Sequence, residues 1–453
     1  MNTQLKTIFV FLFLVCTLRG TAQNFSIDYP SYQNRNSDAL EISRIVRNDT
    51  ATILYMDAYS RPNYWIRLAS GLSLHGNQTG KNYPIIRSQG FELDKEVYMP
   101  ASGNVTFSLQ FAPLAPQEKM IDFIEGANKG DFQIKSISLN EQEKKGKIHC
   151  HISGKVIDSP QSSRLVLMKA HKNPSSSPWL SIPIRNGEFQ YDFYADHEEV
   201  YEVFIWNDML TGSWLPSLFF AENGPVSFTL YPASTRKPGL VSTSNPLTCE
   251  LQQLESERKA KFNFDSLYAQ MNKLYEENRF ESEALQTLWK RIEQVKDNNE
   301  ERNNIYRERD RLEESGEAYT EEGKALLVKI KQLNEEMNQW TIKHIKQNPS
   351  LPGLYVLTSK TEMARKGEDV TPFLNAYQET FASLYPEHPY SQQMQMLIKN
   401  GQPEIGKPYV DFSAPDLDGN KVQISKYIQG KVALIDLWAS WCGPCRINSK
   451  QVI

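Results

Sequence analysis

Cysteine is scarce in this 453-residue chain: five residues in all, too few and too dispersed to staple a small disulfide scaffold. Charge of one sign is missing too. Fifty Lys and Arg stand against 54 Asp and Glu, a formal charge of −4, which supplies no broad cationic field for nucleic acid or an anionic membrane surface. Gly at 23 and Pro at 24 exclude a collagen-like chain. Only one long apolar run occurs, IFVFLFLVCTL near the N-terminus. No integral membrane segment is therefore expected once that run is removed. What remains, 40% hydrophobic and 23% charged, describes folded domains, about three at roughly 100 to 200 residues each.

Lys6 precedes the apolar run, and Gly20 and Ala22 occupy the small-residue positions before Gln23. This pattern predicts a secretory signal peptide over residues 1–22, cut after Ala22. A short membrane anchor is the competing reading, but the run is shorter than the ~20 residues of a spanning helix. Cys16 raises lipid anchoring, which Val15 disfavours because a lipobox usually carries a small residue there. Processing removes Lys6 and Arg19 and moves the charge from −4 to −6. The expected location is the periplasm or cell envelope. Four cysteines then remain: Cys150, Cys249, Cys442 and Cys445.

Residues 24–146 alternate β-branched and aromatic segments such as TATILYMDAY and NVTFSLQFAP with Gly, Asn and Pro, the pattern of a β-sandwich-like domain. Residues 147–240 repeat the style in KIHCHISGKVI and VYEVFIWND, a second small β domain. From Glu250 to Lys346 there are 21 acidic and 17 basic residues, a mixed-charge surface. Leu285, Leu288, Ile292 and Val295 recur at helical spacing, as do Ile330, Leu333, Met337 and Trp340. Two long helices packed as a hairpin over 249–346, with a break near Ser315 and Gly316, are the expectation. Residues 349–405, punctuated by Pro349, Pro352, Pro372 and Pro389, read as a helical linker. The chain is thus multidomain, two mainly β domains and a long helical region ahead of its last stretch.

In HCH at residues 149–151, a strand would point Cys150 away from His149 and His151, so the three cannot readily converge on one metal ion. Separate burial of Cys150 and Cys249 is favoured over a disulfide between them. At the other end Cys442 and Cys445 form a compact C-x-x-C with no second pair nearby to complete a zinc site, which favours redox work.

After Gly406 the DLDGN segment can turn the chain, KVQIS supplies a short strand, and Val432 to Trp438 is a more apolar strand candidate. This stretch, with Phe412, Asp418, Gly419, Gly430, Lys431 and the WCGPC of Trp441 to Cys445, resembles the thioredoxin-like thiol-disulfide oxidoreductases of bacterial envelopes, of the TlpA/ResA type. The resemblance covers residues 404–453 and implies the N-terminal part of an α/β thioredoxin-like fold over 406–453. The upstream modules look like those that Bacteroidetes proteins place before such a domain, the second being DUF4369-like. Only eight residues follow Cys445, whereas the resembling fold continues through a long helix, a cis-Pro and a final sheet edge. The expectation is an incomplete domain here and an active intact parent.

A strand-to-helix crossing would set Cys442 at an exposed helix N-terminus, where unpaired N–H groups and the dipole favour a thiolate. Cys442 is the expected attacking sulfur and Cys445 the resolving one. Gly443 and Pro444 shape the turn, and Trp441 offers an apolar platform to substrate. Asp436, in the apolar VALIDLW segment and matching the buried acid of thioredoxins, is the candidate to accept the proton of Cys445. No bound cofactor or metal is expected beyond the reversible Cys442–Cys445 disulfide. Expected partners are disulfide-containing envelope proteins and an upstream dithiol electron donor. A thiol peroxidase of the same superfamily and a noncatalytic envelope scaffold are the alternatives.

Overall fold

The computed structural model describes residues 25–128, 130–140, 146–159, 162–174, 177, 179–295, 298–364, 368–400, 409, 411–415 and 421–435. Two compact units divide it, Met1–Asn245 and Pro246–Ile453. A large β-rich region occupies the first, and helices dominate the second.

The first unit opens with β1 (Phe25–Asp28), β2 (Asn34–Arg35), β3 (Leu40–Arg47), β4 (Thr52–Tyr59), β5 (Trp65–Ile66) and β6 (Ser73–Gly76). It continues through β7 (Asn82–Gln89), β8 (Val97–Tyr98), β9 (Asn104–Phe111), β10 (Met120–Ile124) and β11 (Gln133–Ser138). Nine of these form one antiparallel ladder in the order β1-β3-β4-β9-β7-β6-β10-β11-β2. Alternation along β9 buries Phe107, Leu109 and Phe111 on one face. Leu74, Ile121, Phe123 and Ile137, from the other end of the ladder, enter the same core. The sheet therefore folds over on itself, and Phe111 meets Phe123 edge-to-face at 6.5 Å across the fold.

The second module comprises β12 (Ile148–Val156), β13 (Arg164–Lys169), β14 (Leu180–Pro183), β15 (Glu188–Ala195) and β16 (Val200–Ile205). A short helix, α1 (Trp206–Leu210), precedes β17 (Ser217–Phe220), β18 (Gly224–Leu230) and β19 (Leu240–Thr243). Two four-stranded sheets result, β15-β12-β18-β19 and β14-β13-β16-β17. Ile152, Phe193 and Phe228 from one, with Leu165, Val203 and Phe219 from the other, share a core. Gly154 lets β12 lie close to β18, since a Cβ there would stand 2.2 Å from the Phe228 carbonyl oxygen.

Arg164 joins the two modules. Its side chain is only 1% exposed. One guanidinium nitrogen donates to the Asp38 carbonyl oxygen at 2.8 Å and the other to Asp38 Oδ2 at 3.2 Å. Its charged carbon lies 4.3 Å from the Tyr59 ring centroid and 4.2 Å from that of Trp206, so aromatic faces replace part of the lost hydration. Asp38 and Tyr59 come from the first module, Trp206 from the second. Tyr29 against Tyr191 at 4.3 Å and Arg185 beside the buried Asp57 at 3.7 Å extend the same seam.

In the second unit, the stretch expected as a two-helix hairpin over 249–346 holds five helices instead: α2 (Pro246–Lys261), α3 (Asp265–Glu276), α4 (Glu283–Gln294), α5 (Asn299–Ser315) and α6 (Glu321–Gln347). Local capping explains three of the four breaks, all but that before α3. Ser282, Asn298 and Thr320 each accept first-turn N–H bonds at a new N-terminus. The expected break at Ser315 and Gly316 is present, with Gly316 at φ +72° ending α5. The stripe of Leu285, Leu288, Ile292 and Val295 packs with Ile305 and Leu312 of α5. Trp340 of α6 packs on Phe262 at 5.8 Å. Beyond these, α7 (Leu351–Glu362) is buried from Leu351 to Thr358 and contacts α8 (Thr371–Ala376) and α9 (Pro389–Asn400).

Replacing Arg164 with Met should remove the guanidinium bonds and cation–π contacts while keeping comparable bulk. We expect a loss of about 1–3 kcal/mol, measured by urea unfolding with hydrogen exchange in β3 and β13. A change within error would mean that the two modules do not rely on this side chain.

Candidate functional site

The C-terminal stretch enters through a small antiparallel hairpin, β20 (Ser413–Pro415) against β21 (Lys421–Gln423). The expected KVQIS strand is therefore present. Asp411 organises its base. Its carboxylate accepts from the Ser425 backbone N–H at 2.9 Å and from Gln423 Nε2 at 2.7 Å. These bonds, chiefly the one from Ser425, hold its pKa below the ordinary carboxylate range. The Ile424 N–H donates to the Phe412 carbonyl at 3.0 Å, and the turn α10 (Ser425–Ile428) leads to Gly430 at φ +72°.

The next expected strand is not observed in its described part. Residues 432–435 carry no strand assignment, and Val432 and Leu434 are 106% and 74% exposed. An apolar run makes a strand only where a neighbour supplies ladder bonds and a covered face, and no described strand pairs with it. Asp436, Trp441, Cys442, Gly443, Pro444 and Cys445 lie outside the described residues, as does the signal-peptide expectation over residues 1–22. Among the described residues no helix is long and apolar enough to cross a membrane.

Cys150 and Cys249 are not in a disulfide among the described residues. Cys150 is 1% exposed, and burial pushes its pKa up to about 12. His149 and His151 point to the opposite face, as strand alternation requires. Both engage one oxygen of Asp192, His149 Nε2 at 2.8 Å and His151 Nδ1 at 3.0 Å. Burial works against the Asp192 carboxylate, but the two imidazole bonds outweigh it and hold the pKa low. Among the described residues no group of three His, Cys, Asp or Glu side chains is arranged to hold a metal ion. Sequence reasoning did not pair these histidines with Asp192, 41 residues away from His151; the HxH alternation was its only visible signal.

Cavities open among the described residues of the first unit, and two adjoin groups named above. One, about 570 Å³, runs along the seam between the modules and is lined by Tyr29, Arg44, Tyr55, His149, Arg185 and Asp192 among others. Its charges are internally matched: Arg44 pairs with Asp28 and Arg185 lies beside Asp57. The other, about 420 Å³, lies on the outer face of the second module. Glu202 occupies that face of β16, opposite Met168 and Leu218. Burial pushes its pKa up to about 7, yet its described neighbours form no catalytic set with it.

Residues 405–452 match the AhpC/TSA family. Over 44 residues the chain is 42% identical to a thiol:disulfide interchange protein DsbE of Pseudomonas fluorescens biotype C, covering 10% of this chain and 25% of that protein. A second DsbE, from Allochromatium vinosum, is 44% identical over 52 residues, 11% of this chain and 29% of the relative. The chain thus spans only about a quarter of the length of the curated relatives it matches. A solved pullulanase type I from Bacillus subtilis aligns over 37% of this chain and 23% of its own at 11% identity, with a TM-score of 0.12, too low to bear on fold or ligand. The C-terminal region is accordingly of AhpC/TSA, thioredoxin-like type, following a β-rich unit and several helices.

Because its thiolate is disfavoured and its side chain covered, Cys150 should resist iodoacetamide at pH 8 in the folded chain and react after urea unfolding. Peptide mass spectrometry reads the difference. Fast native labelling of Cys150 would contradict its inert role.

Proposed function

We propose that this chain takes part in thiol-disulfide interchange on proteins of the cell envelope through the Cys442–Cys445 dithiol. The observation that carries the reading is the match of residues 405–452, which span both cysteines, to the AhpC/TSA family, beside stretches of 44 and 52 residues that are over 40% identical to two interchange proteins. In this reading Cys442 is a thiolate at a helix N-terminus. It attacks one sulfur of a substrate disulfide, forms a mixed disulfide and expels the other substrate sulfur as a thiolate. Cys445, losing its proton to Asp436, then attacks Cys442 and releases the second substrate thiolate. Two electrons pass from the dithiol to the substrate, and the released thiolates take up protons. An upstream dithiol protein restores the reduced pair, so no bound cofactor is invoked. Trp441, Gly443 and Pro444 form the surface that meets substrate.

A peroxidase would work through a single peroxidatic cysteine. The C-G-P-C spacing and the interchange relatives favour the dithiol reaction instead. Export behind the 1–22 signal peptide, without lipid on Cys16, and a DUF4369-like identity for residues 147–240 of a Bacteroidetes protein complete the proposal. A noncatalytic scaffold role for the β modules would leave the cysteines without exchange.

In Cys445→Ser the mixed disulfide has no resolving sulfur. We expect a substrate adduct to accumulate on Cys442, at least tenfold above the unaltered chain, by nonreducing electrophoresis and peptide mass spectrometry. Cys442→Ser should form none. Adducts that accumulate on Cys445 instead would reverse the roles, and adducts in neither variant would reject interchange.

A further inference from the structure

The β14-β13-β16-β17 sheet turns one face to the module core and carries a second, aromatic layer on the other. Val166, Met168 and Phe204 are buried there beneath Trp179, Trp206, Met209 and Trp214. This layer borders an open cavity of about 420 Å³ lined by Asp38, Asn173, Pro174, Trp179, Met209 and Trp214. That volume falls within the roughly 300–1,000 Å³ of small-molecule sites. We propose that this cavity binds one neutral sugar ring, a function separate from thiol exchange.

Three features select that occupant. The first is a held aromatic platform: Trp214 stacks on Phe204 with centroids 5.5 Å apart and planes 25° from parallel, which fixes its orientation for the C–H face of a pyranose. Rigid aromatic surfaces of this kind bind at low entropic cost.

The second feature is charge balance. Arg35 and Arg164 lie 4.9 and 5.4 Å from the Trp179 ring centroid, so the cation-binding capacity of that indole is already used. Arg35 is paired with Glu41 and Arg164 with Asp38. A second cation on that indole would therefore compete with two guanidiniums already there, and an anion would meet Asp38 on the cavity wall. A neutral ligand meets neither penalty.

The third is polarity. Asp38 spends Oδ2 on Arg164, and its side chain is 46% exposed, so its carboxylate can accept a hydroxyl donor. Asn173 lines the same cavity, and its side-chain amide is of the kind that both donates and accepts. Hydroxyl groups both donate and accept. A purely aliphatic or aromatic group could not donate to the Asp38 carboxylate.

The test is saturation-transfer NMR on the full chain with methyl β-glucopyranoside, cellobiose, lactose and diacetylchitobiose as neutral probes, beside glucose 6-phosphate, glucosamine and indole. We expect transfer to the ring C–H protons of at least one neutral sugar, saturable at millimolar concentration. Trp214→Leu should weaken that binding about tenfold, the scale of one lost aromatic stack. Circular dichroism checks that this variant is folded, and if it is not, Asn173→Ala, which should weaken binding in the same direction, decides. Absence of transfer to every neutral sugar would overturn the proposal. Unchanged sugar binding in the deciding variant, or stronger binding of the charged sugars or of indole, would do the same.

Discussion

A guanidinium cannot be left in an apolar interior without matched partners, and that constraint organises the β-rich unit around Arg164. Leaving so buried a charge unpaired would cost several kcal/mol. Its partners come from both modules: the Asp38 carbonyl and carboxylate, the Tyr59 ring and the Trp206 indole. Neither sandwich satisfies it alone. The same residue couples two layers of the structure, because Asp38 also lines the outer cavity and Trp206 belongs to the aromatic layer above β13 and β16.

The electrostatics of Cys150 set it apart from a thiol that exchanges. Cys150 is a core residue of β12 whose ionisation burial suppresses, and it faces Phe193 across the ladder. A sulfur of that kind packs and does not exchange. Exchange requires a thiolate stabilised by local positive potential and open to a partner, the setting proposed for Cys442. Among the described residues leading there, the Asp411 carboxylate pins the β20–β21 hairpin to the start of α10 through Ser425 and Gln423.

How much was legible in the sequence depended on whether the deciding interaction was local. Period-two alternation was enough to set Cys150 against His149 and His151, and one glycine was enough to mark the end of α5. Three of the four breaks between the five helices were also written locally, in Ser282, Asn298 and Thr320, but apolar spacing read alone runs through such caps. Arg164 was illegible because its hydrogen-bonding partner is 126 residues away, and nothing near position 164 signals a buried charge. The described part of the Val432 segment, residues 432–435, departs from expectation for the converse reason. Its apolar composition gives propensity, whereas a strand is made by the neighbours that pair with it.

Equilibrating the full chain in glutathione buffers of graded potential, then quenching, alkylating and mapping each cysteine by mass spectrometry, tests the central claim most directly. The account predicts a reversible Cys442–Cys445 disulfide that follows a two-electron dependence, about 30 mV per tenfold change in the ratio of oxidised to reduced chain, while Cys150 and Cys249 remain thiols. A Cys150–Cys249 disulfide, or a Cys442–Cys445 pair that does not respond to the buffer, would contradict it.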